Sequence, residues 1–280
     1  MPVSPRLSPE QARALEDWFP GAELVADLSW GITDTAVLHL LHDGDDLVLK
    51  AAGPDNHHLG REVTAHESAT GPLLSAGAAA RLLRADRSLR MLVTTYLPGE
   101  LVEGHGAEWV EETYRQAGVL LARLHGQGSR PSPDHEAAAD ARALAWLDQP
   151  HRIDAATVER LRAILTSGER PVSTLVPTHG DWQPRNWLVD EGRVRVIDFG
   201  RFDWRPAATD LARLAAQQFC GRPELERAFV EGYGTDPRDP EGWRLIRVRE
   251  AIGTAAWAYQ FGDEEFEQQG HRMIREALAD

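Results

Sequence analysis

The sequence contains a single cysteine, Cys220, among 280 residues. One thiol forms no internal disulfide and assembles no thiolate metal site. Long apolar runs are also missing: the longest, such as residues 35–41, are strand-sized and far short of the ~20 residues of a spanning helix. The first residues, Met-Pro-Val-Ser-Pro, have neither the basic start nor the apolar core of a signal peptide. We therefore expect a cytoplasmic protein.

Positive charge is scarce as well. Lysine and arginine number 30 against 44 aspartates and glutamates, so the formal net charge is −14. This balance argues against nucleic-acid partners and anionic membrane surfaces, which both require basic residues. An acidic surface serves solubility, or it attracts a polycationic substrate, and charge alone does not separate these alternatives. We expect a small-molecule partner, no nucleic acid, no membrane, and a monomer or weak dimer.

What is present is a change of pattern near residue 97. Strand-like runs at 35–41, 47–50 and 90–96 dominate the first part, with Asp43-Gly44 as a hairpin turn and helices starting after Ser8 and spanning about 60–74. Beyond Pro98-Gly99 the periodicity is mainly helical, with two short strands at 187–189 and 194–197 around Glu191-Gly192. This order predicts an α+β fold of two lobes, 1–97 and 98–280.

Three polar residues carry the clearest chemistry. Asp181 follows His179-Gly180, Asn186 comes five positions later, and Asp198 follows a predicted strand within Asp-Phe-Gly. Phosphoryl transfer needs one carboxylate to accept the hydroxyl proton, and a carboxamide and a carboxylate as hard oxygen ligands for Mg²⁺. The pattern is close to the kinase sequences H-R-D-x-x-x-x-N and D-F-G. It predicts Asp181 as catalytic base and Asn186 and Asp198 as metal ligands.

Lys50 is the expected phosphate anchor. It ends an apolar run, Leu-Val-Leu-Lys, as the lysine does in the V-A-I-K strand of kinases. Its carboxylate partner should lie on the following helix, where Glu62 is favoured and Glu67 is the alternative. The segment 29–35 is expected to cover the phosphates with Gly31 and Thr33, although it has one glycine where G-x-G-x-x-G has three, and a plain hairpin turn explains it equally well.

These segments resemble the aminoglycoside phosphotransferase family, small-molecule kinases within the protein-kinase-like superfamily. Gly180, where protein kinases carry arginine, favours small-molecule acceptors over proteins. The resemblance spans roughly residues 25–215 and rests on segments in family order: 47–50, 61–62, 96–100, 121–125, 179–186, 198–200 and 210–214.

The resemblance implies a bilobal protein-kinase-like fold, with a small N-terminal antiparallel-sheet lobe, a larger helical C-terminal lobe and ATP between them. Adenine would bind the backbone near Thr95 and Leu97. Asp210 would cap the next helix and brace the catalytic loop, a structural role. Arg185 departs from the family, where a small residue is usual, and is a candidate contact to phosphate or acceptor. Trp182 is either packing or an aromatic wall for the substrate.

The acceptor site is expected in the helical lobe. Family members present acidic residues there to cationic acceptors, and Asp263, Glu264 and Glu267 belong to an acidic cluster near the C-terminus. Such a cluster would pair with the ammonium groups of an aminoglycoside or a basic peptide antibiotic, or it is simply a solvated helix face. The alternatives are a metabolic kinase for choline, homoserine or a sugar, and a nucleotide-binding pseudokinase.

Overall fold

A computed structural model describes residues 4–30 and 35–279. Eleven strands in these ranges are β1 Glu23–Asp27, β2 Ala36–His42, β3 Asp45–Ala51, β4 Leu82–Asp86, β5 Met91–Thr95, β6 Glu100–Leu101, β7 Arg130–Ser132, β8 Ser173–Thr178, β9 Trp187–Asp190, β10 Arg193–Val196 and β11 Asp203–Arg205. The α-helices are α1 Pro9–Trp18, α2 His58–Ser68, α3 Gly71–Ser75, α4 Glu111–His125, α5 His135–Leu147, α6 Ala155–Thr166, α7 Ala212–Ala216, α8 Pro223–Tyr233, α9 Pro240–Phe261 and α10 Glu264–Ala279. No described helix combines the length and the low polarity needed to cross a membrane.

The N-terminal part forms a five-stranded antiparallel sheet in the order β1-β2-β3-β5-β4. The predicted turn between β2 and β3 is confirmed: Asp43 and Gly44 both have positive φ, 50° and 86°. This backbone twist suits a two-residue hairpin. Alternate side chains of the inner strands, among them Leu38 and Leu49, are fully buried and pack with Leu15 of α1. The sheet thereby gains a core on one face.

The predicted start of α1 is confirmed, but the predicted extent of the next helix is wrong. The Ser8 hydroxyl accepts from the Gln11 amide, and the Gln11 side chain accepts from the Ser8 amide, so α1 begins with the predicted capping box. The single helix predicted over about 60–74 is wrong. The chain breaks at Ala69-Thr70, and α3 restarts with Pro72 in its first turn, because proline has no N–H for a continuous helix.

The sequence pattern did not predict the strands at the edges of the large sheet. β1 and β4 lie at the two edges and keep most of their side chains partly or fully exposed. They therefore lack the strict alternation of buried and exposed residues that predicts a strand. β8, which leads directly into His179, was missed as well.

The chain packs as two compact units. The first comprises Met1–Gln127, His179–Asp203 and Arg227–Gly234, and it contains the large sheet together with the β10-β9-β6 sheet. The second comprises Gly128–Thr178, Trp204–Glu226 and Thr235–Asp280, and its core is built mainly from α5, α6, α9 and α10. The lobe boundary near residue 97 stays a prediction.

A buried charge cluster crosses the interior of the second unit. Arg249 of α9 bonds to Glu136 at 2.5 Å and to Asp140 at 2.7 Å, both on α5. Arg170 bonds to the other oxygen of Asp140 at 2.6 Å. Burial favours the neutral acid of Glu136, yet hydrogen bonds from Ser173 and Arg249 outweigh it and lower the pKa of Glu136. The cluster links α5, α9 and the segment before β8.

Candidate active site

Lys50 joins two carboxylates from distant parts of the chain. It is the only lysine in the sequence, and it points from β3 toward α2. Its Nζ donates to Oε1 of Glu62 at 2.7 Å and to Oδ1 of Asp198 at 3.2 Å. The alternative partner Glu67 instead bonds to Arg87 at 2.7 Å, at the exposed end of α2. The helix presents these two glutamates to different faces, which decides the pairing.

The charges in this group stabilise one another. Burial by itself would lower the pKa of Lys50, but the carboxylates of Asp198 and Glu62 outweigh it and raise the pKa above its usual value. Lys50 in turn is the main reason why the pKa of Asp198 is lowered, with a contribution from His179 and an opposing one from Asp181. Lys50 is therefore a fixed cation, and Asp198 a fixed, half-exposed anion.

A strained turn holds Asp198. The residue adopts φ 63°, a left-handed conformation that non-glycine residues rarely take and that concentrates at functional sites. Gly200 follows two residues later, where an added Cβ would lie 3.3 Å from Asp198 Oδ1 and 3.3 Å from the Cβ of His58. The ring of His58 also contacts the Gly200 carbonyl at 3.0 Å. Glycine at 200 therefore allows a close approach of the turn to α2, where a methyl group would be tight.

The segment after β8 places Asp181. His179 is fully buried, and its ring contacts the Ile197 carbonyl at 3.0 Å, next to Asp198. Gly180 takes φ 80°, which lets the chain turn sharply before Asp181. The side-chain amide of Asn186 donates to the Asp181 carbonyl at 2.8 Å and to its Oδ2 at 3.0 Å. One compact loop thus joins the predicted base to a predicted metal ligand.

Further donors converge on the carboxylate of Asp181. Gln183 donates to Oδ1 at 2.5 Å, Arg185 donates to Oδ2 at 2.7 Å, and Arg201 lies 4.0 Å from Oδ2. Gln183 and Arg201 were missed by the sequence reading. Arg201 carried a usable signal, since it directly follows Asp-Phe-Gly. The sequence position of Gln183 gave no indication that its side chain contacts Asp181.

The oxygen donors fit a magnesium ion. The side-chain amide nitrogen of Asn186 donates to Asp181, so the side-chain oxygen Oδ1 is the atom that could bind a metal. The carboxylate of Asp198 is half-exposed. Mg²⁺ is usually held by one or two such protein oxygens together with substrate phosphates and water. Within residues 4–30 and 35–279, no group of three or more histidine, cysteine or acidic side chains is arranged to hold a metal.

The positions predicted for the nucleotide are only partly described. Gly31 and Thr33 lie outside the described residues. Thr95 ends β5, and its backbone amide already donates to the Arg81 carbonyl at 3.0 Å, so the sheet uses that donor. Leu97 lies just beyond the strand, in the connection toward Gly99.

Some predicted substrate contacts have structural positions instead. Trp182 is 1 % exposed and packs edge-on against His179 and Trp187, so it is packing and not an aromatic wall. Glu267 is buried with its Oε1 3.6 Å from Arg152 and 3.5 Å from His271, so it does not face solvent. Side-chain direction, which sequence spacing does not reveal, decides the position of both residues.

The remaining predicted residues divide between the two units. Asp263 accepts from the Phe266 amide at the start of α10, and Glu264 is exposed in its first turn. Both belong to the second unit, whereas Lys50, Asp181 and Asp198 belong to the first. Asp210 is buried inside a 3-10 turn, Ala207–Leu211, and Leu211 holds the N-cap position of α7. Asp210 therefore does not occupy the cap position expected for it.

Known structures share this fold. A thermostable mutant of aminoglycoside phosphotransferase APH(4)-Ia superposes with a TM-score of 0.69 at 15% identity, covering 96% of this chain and 99% of its own. Macrolide 2'-phosphotransferase MphH from Brachybacterium faecium gives 0.60 at 20% identity, covering 95% and 98%. Choline kinase LicA from Streptococcus pneumoniae gives 0.65 at 14% identity, covering 95% and 96%. The predicted α+β, bilobal protein-kinase-like fold is confirmed.

Sequence comparison adds the family. No curated protein matches the chain. The family profile described as "Phosphotransferase enzyme family" (APH) matches residues 27–246, a span that includes Lys50, Asp181 and Asp198. Because that match extends over most of the chain, the protein belongs to the APH phosphotransferase enzyme family.

Proposed function

We propose that the protein is an ATP- and Mg²⁺-dependent O-phosphotransferase that transfers the γ-phosphate to a hydroxyl of a small cationic molecule. The observation that carries the proposal is the contact of Lys50 with Asp198 at 3.2 Å, which joins the predicted phosphate anchor to a predicted metal ligand. A kinase site needs a lysine–glutamate pair and a metal-binding aspartate in place together. The contacts of Lys50 with Glu62 and with Asp198 support such a site.

Each residue then has a defined task. The acceptor oxygen forms a bond to the γ-phosphorus while the bond from phosphorus to the β,γ-bridging oxygen breaks, and that electron pair leaves on ADP. Asp181 takes the hydroxyl proton, and Lys50 holds phosphate oxygens. Asn186 and Asp198 would hold Mg²⁺, which supplies neutralisation of the phosphate charge when bound. Backbone near Thr95 and Leu97, and the segment with Gly31 and Thr33, would contact the nucleotide.

ATP as donor is supported by relatives of the same fold. Structures of APH(4)-Ia mutants contain ADP or AMP-PNP together with hygromycin B. Spectinomycin phosphotransferase APH(9)-Ia, with a TM-score of 0.63 at 12% identity, contains ADP and its antibiotic. These ligands belong to those proteins, and they favour a nucleotide here because the fold is shared.

The cationic acceptor is the finer part of the proposal. The net charge of −14 and the exposed carboxylates Asp263 and Glu264 favour an acceptor with ammonium groups, and an aminoglycoside or basic peptide antibiotic is the class we propose, with inactivation as the result. The second candidate is a metabolic acceptor such as choline, homoserine or a sugar, since a choline kinase shares the fold. The intact set of Lys50, Asp181 and Asp198 argues against a pseudokinase.

The test combines an acceptor panel with one substitution. Purified protein is incubated with Mg²⁺, ATP and one acceptor at a time from a panel of aminoglycosides, basic peptide antibiotics, choline, homoserine and amino sugars. The masses of the products are measured by mass spectrometry. We expect a gain of one phosphate on a cationic acceptor. Asp181→Asn should abolish nearly all turnover, about 10³-fold or more, and preserve nucleotide affinity. Normal turnover in Asp181→Asn contradicts the assignment of the base.

The single lysine gives an independent test of the nucleotide site. An amine-reactive acyl phosphate of ATP has only one ε-amine to modify, at Lys50, besides the N-terminal amine. We expect peptide mapping to find the label on Lys50, and excess unmodified ATP to prevent it. Labelling of Lys50 that excess ATP does not prevent would contradict the predicted phosphate anchor.

A further inference from the structure

Arg185 reaches the catalytic carboxylate from within the same loop. Its Nη2 donates to Asp181 Oδ2 at 2.7 Å, and it follows Pro184 in a 3-10 turn. The turn is held by the Asn186 amide, which donates to the Gln183 carbonyl at 2.9 Å. The turn therefore fixes the backbone of Arg185 close to Asp181.

Most of the hydrogen-bonding capacity of Arg185 is unspent. A guanidinium has five N–H donors, and within the described residues Arg185 uses one, on Asp181. Its side chain is 34 % exposed, whereas Asp181 is 5 % exposed. A charged group that is two-thirds buried and keeps open donors is suited to bind an anionic ligand that approaches from solvent.

Two guanidiniums lie close to the carboxylate of Asp181. Without Arg185 and Arg201, the site has one ammonium, Lys50, against the three carboxylates of Glu62, Asp181 and Asp198. Arg185, at 2.7 Å from Asp181 Oδ2, and Arg201, at 4.0 Å, add two positive charges. Glu103 lies in the field of Arg185 and Asp181, and its pKa is raised mainly by partial burial. The positive charge gathered beside Asp181 offsets these carboxylates, so the negative charge of an incoming phosphoryl group is accommodated next to Arg185.

We propose that Arg185 binds the phosphoryl group during its transfer, as an arginine supplied by the catalytic loop itself. The proposal rests on the proposed function and adds a residue to it. A hydroxyl that gives its proton to Asp181 lies about 3 Å from a carboxylate oxygen, and the phosphorus it attacks lies about 3–3.5 Å further on. Arg185, already 2.7 Å from Oδ2, reaches phosphoryl oxygens at that distance by rotation of its side chain.

In the reaction Arg185 forms no covalent bond. The acceptor oxygen bonds to phosphorus, the bond to the bridging oxygen breaks, and the proton goes to Asp181. The guanidinium hydrogen-bonds the equatorial oxygens, where negative charge accumulates as the phosphoryl group passes between the two oxygens. It binds γ-phosphoryl oxygens in the nucleotide complex as well, so it discriminates ATP from ADP.

Nucleotide affinity without any acceptor tests this inference. Binding of AMP-PNP and of ADP, each with Mg²⁺, is measured by calorimetry for the wild type, Arg185→Ala, Arg185→Lys and the charge-matched control Arg115→Ala. Arg115 pairs with Glu112 and Glu231 at the surface of α4. We expect Arg185→Ala to weaken AMP-PNP about tenfold and ADP less than twofold. Arg185→Lys should lie between, and Arg115→Ala should match the wild type.

Turnover separates the remaining roles. With an acceptor from the panel, Arg185→Ala should lower kcat by roughly 10²–10³ and leave the acceptor KM within about threefold. Equal losses for ADP and AMP-PNP, or no loss for either, would overturn the inference. A raised acceptor KM with unchanged nucleotide affinity would also overturn it, and would assign Arg185 to an anionic acceptor. Each of these results leaves the proposed function intact, because that depends on product formation and on Asp181→Asn.

Discussion

The amine of Lys50 lies 2.7 Å from Oε1 of Glu62, and both side chains are almost fully enclosed. Glu62→Gln should lower kcat/KM by roughly 10–100-fold, because it removes a charge-assisted hydrogen bond that orients the only lysine. Steady-state kinetics at several ATP concentrations measures this change. Lys50 keeps its contact with Asp198, so the fold should persist.

Glu67→Gln is the matched control for that experiment. It lies on the same helix and loses the same charge, but its partner Arg87 is exposed. Exposed pairs contribute about 0.2–1 kcal/mol, so activity should stay within about twofold of the wild type. Equal losses of kcat/KM in the two variants would show that the negative charge of the helix affects activity and that the specific Lys50–Glu62 pair does not.

Gly200→Ala should reduce turnover by roughly ten- to a hundredfold with little loss of stability. The added methyl group would meet Asp198 Oδ1 and the Cβ of His58 at 3.3 Å, which displaces the carboxylate. In Gly60→Ala, the new methyl in α2 has nothing within 4 Å, and the variant should gain about 0.5–1 kcal/mol of stability. Urea unfolding and kcat are measured for both. Wild-type turnover in Gly200→Ala would contradict the close approach.

Acid should destabilise the protein through His66. Burial and the nearby Lys50 lower the pKa of His66 from 6.5 to about 4, and the ring packs against Phe199. The folded-state pKa is depressed, so the unfolded chain binds more protons, and stability falls as pH drops from about 6.5 to about 4. His66→Leu should remove about 1–2 kcal/mol of the stability difference between pH 7 and pH 5. Urea unfolding at the two pH values checks this, and an unchanged pH dependence would refute it.

Arg249→Ala should cost about 3–5 kcal/mol in the free energy of unfolding. It leaves the buried carboxylate of Glu136 without a guanidinium partner, whereas Asp140 keeps Arg170, and a buried charge without its counter-charge is expensive. Arg162→Ala, which removes an exposed pair with Asp148 in the same unit, should cost less than about 1 kcal/mol. Chemical denaturation of the two variants gives the comparison. Similar small losses would show that the cluster does not stabilise the second unit.

The local features of the fold were available in the sequence. Ser8 and Gln11 form a capping box because the residues that make it are three positions apart, and Asp43-Gly44 makes its hairpin because both residues tolerate positive φ. The edge strands β1 and β4 could not be predicted from the sequence. Their residues are partly or fully exposed on both sides, and their pairing depends on strands elsewhere in the chain.

The sequence by itself determined the chemistry. Asp181, Asn186 and Asp198 are residue types that phosphoryl transfer requires, in an order and spacing that few other sites share. Only the tertiary structure decided which side chains meet. Lys50 and Asp198 are 148 positions apart in the sequence and yet in contact. Glu62, and not Glu67, pairs with Lys50 because of the face of α2 on which it lies. The same limit hid the donors around Asp181 and the burial of Trp182, because side-chain direction is set by packing and not by spacing.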